Sequence, residues 1–269
     1  MKLANSSLAR LASVAVLLAL VLAWEVLSRT TQLSSLVFPA PLMVMDALWT
    51  GLHTGYFYPH IARTVSELLL GLALGCSIGF AFGVALGEFD FLRRVLHPYL
   101  VASQVIPKLA LAPLFILWFG FGMTSTVVIT ALICFFPLME NTITSMAQID
   151  PQKKELFQVL GASRLQILLR LKLPAGMASI LAGFRVAVVL ALVGAVVGEF
   201  IGGSKGLGAL IIASQGMMDT ALMFSVLIII TVLGLLMYQM ALGVERLLLP
   251  PHQKNLSVND KDQKKDSVK

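Results

Sequence analysis

Six long apolar stretches alternate with short polar segments along the chain, and each is long enough to be a membrane span. A helix needs roughly 20 mostly apolar residues to cross the hydrocarbon core of a bilayer. The pattern therefore predicts an all-α fold, a polytopic transmembrane helical bundle with about six spans. The predicted spans cover residues 8–27, 65–87, 95–119, 124–147, 177–200 and 222–244.

The first apolar stretch has two explanations, a cleaved signal peptide or a retained span. Lys2 and Arg10 precede its apolar core, as basic residues do in a signal peptide. No small-x-small cleavage site follows the core, and Trp24 lies where an aromatic side chain anchors a helix at the membrane interface. We therefore expect this stretch to be retained as a span.

Composition and charge exclude a soluble protein and orient the chain. Of the 269 residues, 58% are hydrophobic and 13% are charged, a balance that cannot give a soluble surface. The net charge of +6 suits nucleic-acid binding, but the basic residues lie in short segments beside the apolar stretches. With the N-terminus inside, 15 of the 20 Lys and Arg residues fall inside and three fall outside. This positive-inside distribution predicts that both termini are cytoplasmic.

The predicted spans divide the chain into four parts. Residues 1–29 form an N-terminal transmembrane helix, and residues 30–63 form an outer segment whose prolines and aromatic residues predict a turn and a short interfacial helix. Residues 64–247 form the core, which includes the long polar loop (149–176) on the inner side. Residues 248–269 are rich in Lys and Asp and are predicted to be a disordered cytoplasmic tail.

A glycine occurs at every fourth position of the second predicted span. At helical pitch these glycines lie along one stripe, and a stripe without side chains lets a neighbouring helix approach closely. We interpret the stripe as a helix-packing surface of a compact bundle and not as a substrate site. Its members are Gly71, Gly75, Gly79, Gly83 and Gly87.

Prolines interrupt the third and fourth predicted spans. Pro98, Pro107 and Pro113 lie in the third span and Pro137 in the fourth, and each removes a backbone hydrogen bond and bends or breaks a helix. Broken helices are tolerated in a bilayer only where they face protein or a water-filled cavity. Two interpretations stay open, because kinked helices either line a transport path or adapt the packing of the bundle.

Four ionisable residues are expected at membrane depth, namely Lys108, Glu140, Arg185 and Glu199. Charged groups are costly in that environment, so each is a candidate for a functional role. The alternative is internal pairing, for instance between Arg185 and either Glu140 or Glu199. Sequence alone does not separate the two explanations.

Catalytic and metal-binding motifs are not found in the sequence. There is no His-Glu-x-x-His pattern and no nucleophile elbow, and the four histidines are expected outside the spans and far apart. Cys76 and Cys134 lie in apolar stretches and suggest neither a disulfide nor a metal site. The run from Gly202 to Gly206 lacks the Gly-Lys-Ser/Thr ending of a phosphate loop. Active transport would therefore need an ion gradient or a partner.

The long polar loop is expected to form two short amphipathic helices. Leucines recur at helical spacing on both sides of Gly161, Ser163 is placed to cap the second helix, and Pro174 is expected to end that helix before the next span. An apolar stripe flanked by basic residues suits insertion into a groove on another protein. It suits a helix lying on the membrane surface equally well.

The loop also carries a recognisable order of residues. It contains Glu155, Gly161, Ala162, Ser163 and Pro174. This order resembles the EAA loop of permease subunits in ABC importers, with Leu156 and Phe157 in place of the two usual alanines. The resemblance extends over about residues 38–244 and is similar to the branch that imports nitrate, sulfonates and taurine, which also includes proteins for aromatic and heterocyclic compounds. Its other motifs are residues 106–114, 118–120, 135–137, 141–142, 183–185 and 198–199.

The resemblance implies the ABC importer permease fold in a bacterial cytoplasmic (inner) membrane. It implies a homodimer that binds two ABC ATPase subunits inside and a solute-binding protein outside, and that works by alternating access. ATP and Mg would be bound by the ATPase, so this chain itself needs no cofactor and is not an enzyme. The cargo implied is a small organic or inorganic anion, or an aromatic or heterocyclic compound such as a vitamin precursor.

The resemblance also assigns roles to individual residues. The implied contact with the ATPase comprises Glu155, Gly161, Ala162, Ser163, Arg164 and Pro174. A separate hypothesis, which rests on the cost of charged groups at membrane depth, assigns Lys108, Glu140, Asn141, Arg185 and Glu199 to the translocation path. An ion-gradient-driven secondary transporter is the alternative, and it would need carboxylates arranged at the membrane midplane for an ion or proton.

Overall fold

The computed structural model describes residues 2–30 and 36–249, and every element of secondary structure within them is helical. The helices before the long polar loop are α1 (Lys2–Thr30), α2 (Pro41–His53), α3 (Tyr58–Glu88), α4 (Asp90–Gln104), a 3-10 turn (Lys108–Leu111), α5 (Ala112–Phe119) and α6 (Met123–Ala147). The remaining helices are α7 (Pro151–Val159), α8 (Arg164–Ile167), a π-helical turn (Leu168–Lys172), α9 (Leu173–Gly202), α10 (Leu207–Gly216) and α11 (Thr220–Leu248). The predicted all-α fold is confirmed.

Helix α6 lies at the centre of the bundle, with α3 and α9 packed along two of its sides. The glycine stripe of α3 faces α6. A Cβ atom at Gly71 would lie 2.5 Å from Thr130 Cβ, and one at Gly79 would lie 2.5 Å from the Phe135 carbonyl oxygen. Gly75, Gly83 and Gly87 make similarly close approaches to Ala131, Thr142 and Met146. The two helices are therefore in backbone contact along most of their length.

Helix α9 approaches α6 in the same way from its other side. A Cβ atom at Gly183 would lie 2.9 Å from the Pro137 carbonyl oxygen, and one at Gly194 would lie 2.9 Å from Thr130 Cα. Pro137 was expected to bend or break its span. It lies inside α6, which is assigned as one helix, Met123–Ala147. Small residues on both neighbours thus leave α6 enclosed as the core of the bundle.

Among the described residues, four helices are long and apolar enough to cross a membrane: Tyr58–Glu88, Met123–Ala147, Arg164–Gly202 and Thr220–Leu248. The pair α4 and α5 makes a fifth if the two are counted as one broken span. The predicted first span corresponds to α1, a single helix of 29 residues. Its crossing of the membrane stays a prediction, since the side chains of residues 2–11, 14 and 17 lie outside the described part.

The third predicted span is broken, and the break falls at one of its three prolines. The α4 segment ends at Gln104, and the chain resumes at Lys108 in a direction that differs by 83°. Pro107 directly precedes the 3-10 turn, whereas Pro98 lies inside α4 and Pro113 in the first turn of α5. A first-turn proline costs little, because the N–H it lacks has no partner within the helix.

The segment between the first two predicted spans forms α2, which packs on α11. Val44 is buried, and the Ser225 hydroxyl donates a hydrogen bond of 2.9 Å to its carbonyl oxygen. The Trp24 ring lies 5.5 Å from the Phe224 ring at a tilt of 38°, and its indole N–H donates a hydrogen bond to the Pro39 carbonyl oxygen. Residues 31–35 and 250–269, which include most of the predicted disordered tail, lie outside the described residues.

Candidate functional site

The long polar loop forms two short helices joined by a tight turn. Asp150 caps α7 by accepting a hydrogen bond from the Gln152 N–H, and Gly161 adopts a φ of +74° after α7 ends. Ser163 caps α8 in a capping box, in which the Gln166 N–H donates to the Ser163 hydroxyl and the Ser163 N–H donates to the Gln166 side chain. The predicted pair of helices, the turn and the cap are therefore present.

Apolar residues of this loop are directed to the outside of the chain. Val159 and Leu160 are 84% and 74% exposed, and Leu165 is also exposed. Glu155 and Arg164 are exposed, and neither forms an ion pair with another described residue. Ala162 is half-buried in the turn. Exposed side chains of both kinds leave this surface able to contact a partner.

Pro174 does not end the helix, and this expectation was wrong. The chain is helical without a break from Arg164–Gly202, and Pro174 lies in the first turn of α9. The preceding π-helical turn is closed by a bond from the Leu173 N–H to the Leu168 carbonyl. Its wider ring accommodates a proline that has no N–H to donate and that would clash within a regular α-helix.

Two of the predicted intramembrane residues lie where α4 and the 3-10 turn cover α6. The Lys108 amine lies 4.0 Å above the centre of the Phe136 ring, a cation–π contact. One helical turn further along α6, Glu140 lies 3.3 Å from His97 Nε2. The expectation that all histidines lie outside the spans was therefore wrong. Both members of this pair are partly exposed.

Arg185 and Asn141 are bonded within the bundle. Arg185 Nη1 lies 3.1 Å from Glu245 Oε2 on α11, so the pairings considered with Glu140 and Glu199 were wrong. The Asn141 amide donates to the Pro137 carbonyl at 2.8 Å, and the Ser179 hydroxyl of α9 lies 3.4 Å from the Asn141 carbonyl. Arg185 thus joins α9 to α11, and Asn141 lies between α6 and α9.

Glu199 is fully buried and holds the turn between α9 and α10. Its Oε1 accepts a hydrogen bond of 2.7 Å from the Thr64 hydroxyl, and its Oε2 accepts one of 2.7 Å from the Gly208 N–H. The Leu207 N–H donates in turn to the Thr64 hydroxyl at 2.9 Å. Gly206, with a φ of +123°, lies directly over the carboxylate, where a Cβ atom would overlap it. The glycine-rich run from Gly202 to Gly206 therefore covers the buried carboxylate of Glu199.

A second buried acid, Glu67 on α3, lies beside Glu199. Arg63 Nε donates to Glu67 Oε1 at 2.6 Å, so the guanidinium compensates one of the two carboxyl groups. Thr64 and Arg63 were not identified from the sequence. Both lie within one helical turn of Glu67, so the Arg63–Glu67 contact is local. The bond from Thr64 to Glu199 joins residues 135 positions apart, and the order of residues gives no sign of it.

A buried ion pair joins the π-helical turn to the end of α3. Lys172 Nζ lies 2.7 Å from Glu88 Oε2, and the two side chains are 8% and 17% exposed. A polar cavity of about 360 Å³ lies beside the pair and is also lined by Asp90, Lys154 and Arg164. This pair was not predicted from the sequence, because its members are 84 residues apart.

The described residues contain charged groups of differing exposure and no candidate metal centre. Within residues 2–30 and 36–249, no group of three His, Cys, Asp or Glu side chains is placed to hold a metal ion. The charged groups that the sequence places at membrane depth lie in three sets within the described residues. Lys108 and the Glu140–His97 pair are partly exposed, Arg185 is paired with Glu245, and Glu199 lies buried with Glu67.

Comparisons with known proteins agree with this architecture. A family model described as binding-protein-dependent transport system inner membrane component matches residues 71–249. The riboflavin transport system permease protein of Chloroflexus aurantiacus is 40% identical over 233 residues, which cover 87% of each chain. The formylaminopyrimidine transport permease protein of Halalkalibacterium halodurans is 34% identical over 237 residues, which cover 88% of this chain and 94% of that protein.

A more distant relative and a solved structure extend the comparison. The taurine transport system permease protein of Escherichia coli is 26% identical over 245 residues, with 89% of each chain covered. A chain of the inward-facing methionine ABC transporter superposes with a TM-score of 0.61 at 17% identity, covering 79% of this chain and 99% of that one. The last likeness supports the fold.

Proposed function

Because this chain belongs to the family of binding-protein-dependent transport system inner membrane components, we propose that it forms half of the membrane domain of an ABC importer. Two copies enclose the path, and two ATPase subunits on the cytoplasmic side bind ATP and Mg and hydrolyse the ATP. A solute-binding protein delivers the cargo on the opposite side. The long polar loop is the ATPase docking site, and alternating access moves the solute.

The observation that carries this proposal is the geometry of the long polar loop. Apolar side chains such as Val159 and Leu160 are exposed on α7, although a helix in water gains nothing by exposing them. The second helix of the loop continues without a break into α9, which runs the length of the bundle. A partner that moves α8 therefore moves a transmembrane helix directly. The excess of basic residues in this loop and the terminal segments supports its cytoplasmic location.

We further propose that the path follows the side of α6 that is covered by α4 and the 3-10 turn, where Glu140 on α6 and Lys108 on the turn lie. Asn141 lies on the neighbouring side of α6, toward α9. Lys108 and the Glu140–His97 pair are partly exposed at the depth of the broken span. Charged groups in a membrane are stable when they face a water-filled cavity. Glu199 has a donor on both oxygens and Arg185 is paired with Glu245, which favours support of the bundle for these two.

For the cargo, we propose an aromatic heterocycle of the kind handled by the riboflavin and formylaminopyrimidine relatives. Phe135 and Phe136 meet edge to face at 4.9 Å, Phe82 lies 5.8 Å from Phe135, and Lys108 covers Phe136. Aromatic faces beside a cation suit a flat ring with polar edges. Calorimetric titration of the solute-binding partner with flavins, pyrimidines and taurine tests this. Binding of taurine alone contradicts it.

Substitution of Gly161 tests the docking role in the complete importer reconstituted in liposomes. Gly161→Val forces a β-branched residue to a φ of +74°, at a cost of about 1–2 kcal/mol, and so distorts the turn. We expect ATP-driven uptake to be abolished while the chain remains inserted and assembled. Gly161→Asn should retain uptake, because asparagine tolerates the left-handed conformation.

Gly55→Val is the matched control, since Gly55 also has a positive φ, of +78°, but lies in the turn between α2 and α3. It should keep stimulation of ATP hydrolysis by loaded binding protein. Unchanged uptake and ATPase stimulation in Gly161→Val would overturn the docking role. Uptake that needs an ion gradient and ignores ATP would instead identify a secondary transporter.

A further inference from the structure

The ion pair between Lys172 and Glu88 lies where three parts of the molecule meet. Lys172 ends the π-helical turn that follows α8, and Glu88 is the last residue of α3. Their side chains are largely buried and 2.7 Å apart. A buried ion pair gives little net stability compared with apolar side chains of the same volume. Stability alone therefore does not explain why an ion pair lies at this position.

Lys172, the last residue of the π-helical turn, faces the bundle. A π-helical turn contains one more residue than an α-helical turn and rotates the following side chains by about 100° relative to a regular helix. Lys172 is 6% exposed, whereas Arg170, two residues earlier and on nearly the opposite side of the helix, is exposed. One basic side chain of the loop therefore reaches α3, and the other lies outside.

Packing between the loop and α3 is otherwise loose at this point. The polar cavity of about 360 Å³ separates α7 and α8 from the junction of α3 and α4. Beyond the ion pair, α3 is in close backbone contact with α6 through its glycines. A displacement of α8 can therefore reach α3 and α6 through Lys172 and Glu88, while it reaches the far end of the bundle through α9.

We propose that the Lys172–Glu88 ion pair is the joint that passes movement of the long polar loop to α3, so that ATP hydrolysis is coupled to opening of the path. The two are positioning residues that act through helix movement and touch neither ATP nor cargo. The proposal rests on the docking role proposed above. It adds that coupling needs this lateral link as well as the continuous helix from α8 to α9.

The central experiment removes the link without leaving a buried charge unpaired. Lys172→Met combined with Glu88→Met replaces the pair by apolar side chains, which in buried positions is often neutral or stabilising. We expect the importer in liposomes to assemble and hydrolyse ATP, while solute imported per ATP falls on the order of tenfold, a typical loss of coupling between sites. Wild-type coupling in an assembled double variant overturns the proposal.

Two further variants separate coupling from packing. The exchanged pair, Lys172→Glu with Glu88→Lys, should restore most of the uptake per ATP, and an assembled but uncoupled exchange overturns the proposal. Asp90 and Arg93 form an exposed ion pair of 3.0 Å nearby. Its neutral double variant, Asp90→Asn with Arg93→Gln, is the matched control and should keep the wild-type ratio.

A distance measurement decides the matter where the variants do not assemble. Spin labels at Phe91→Cys and Leu169→Cys, both exposed positions, report on the α3–α4 junction and on the π-helical turn after α8 in an importer with Cys76→Ala and Cys134→Ala. The distance should stay constant between the ATP-free and ATP-trapped states. A change near one helical turn, about 5 Å, overturns the proposal. Loss of ATP-driven uptake in the wild type would instead count against the proposed function.

Discussion

At the scale of single residues, Glu199 shows how a charged side chain is accommodated inside an apolar bundle. It is fully buried, and both carboxylate oxygens accept hydrogen bonds, from Thr64 and from the Gly208 N–H. Buried acceptors with good partners add stability, whereas partners left without an acceptor are costly. Glu140 differs, since it is partly exposed and both of its oxygens lie 3.3 Å from His97 Nε2. Glutamate is thus buried with neutral donors at one position and partly exposed beside a histidine at the other.

Replacement of Glu199 should therefore destabilise the chain. Glu199→Leu leaves the Gly208 N–H without its acceptor, at about 1–3 kcal/mol for a buried group. It also removes one of the two acceptors of the Thr64 hydroxyl, which keeps the His60 carbonyl at 3.1 Å. We expect a lower thermal midpoint of the purified chain in detergent and an intermediate value for Glu199→Gln, which keeps one acceptor. Glu140→Gln is the matched control and should shift the midpoint little. Equal midpoints for Glu199→Leu and Glu140→Gln would contradict this account.

At the scale of helices, the effect of a proline depends on what precedes it. Pro107 ends a span and turns the chain by 83°, whereas Pro174 follows a π-helical turn and the helix continues. Pro137 lies within an unbroken α6 between two close neighbours. The chain thus accommodates the missing N–H in three ways. The helix is broken before Pro107, a π-helical turn precedes Pro174, and at Pro137 the helix continues between two closely packed neighbours.

These cases show which features can be predicted from one sequence. Hydrophobic runs predicted the helical bundle, and local signals predicted the cap at Ser163 and the turn at Gly161, because they depend on neighbouring residues. The π-helical turn was missed because its bonding is not encoded in residue periodicity. Pairs such as Lys172–Glu88 and Arg185–Glu245 were missed because they join residues 84 and 60 positions apart. Long-range partners follow from packing, which the sequence does not display.

The contact between α3 and α6 should be intolerant of a single methyl group. Gly79→Ala places a Cβ atom 2.5 Å from the Phe135 carbonyl oxygen, so the two backbones must separate, at about 1–3 kcal/mol for overpacking. We expect a lower thermal midpoint in detergent. Gly243→Ala on α11 is the control, since its Cβ meets nothing within 4 Å, and alanine favours a helix. A Gly79→Ala chain as stable as Gly243→Ala would contradict the predicted contact.

At the scale of the whole molecule, the broken span requires a second copy or water. The break between Gln104 and Lys108 carries backbone groups outside a helix at the depth of the bundle, and Val105 is 84% exposed. Lipid offers such groups no hydrogen bonds, so non-helical backbone persists only beside protein or a water-filled cavity. A homodimer that encloses the path would give the break a protein neighbour and a water-filled cavity. The exposed break therefore supports the dimer proposed for the importer.

Cysteine labelling distinguishes these surroundings from lipid. In a background of Cys76→Ala and Cys134→Ala, a Val105→Cys chain should either form a disulfide-linked dimer or react with a water-soluble thiol reagent in intact membranes, because the break meets protein or water. Leu236→Cys, exposed on the continuous helix α11, should do neither if that face meets lipid. A Val105→Cys chain that neither cross-links nor reacts would place the break in lipid and would count against the proposed dimer, since non-helical backbone persists only beside protein or water.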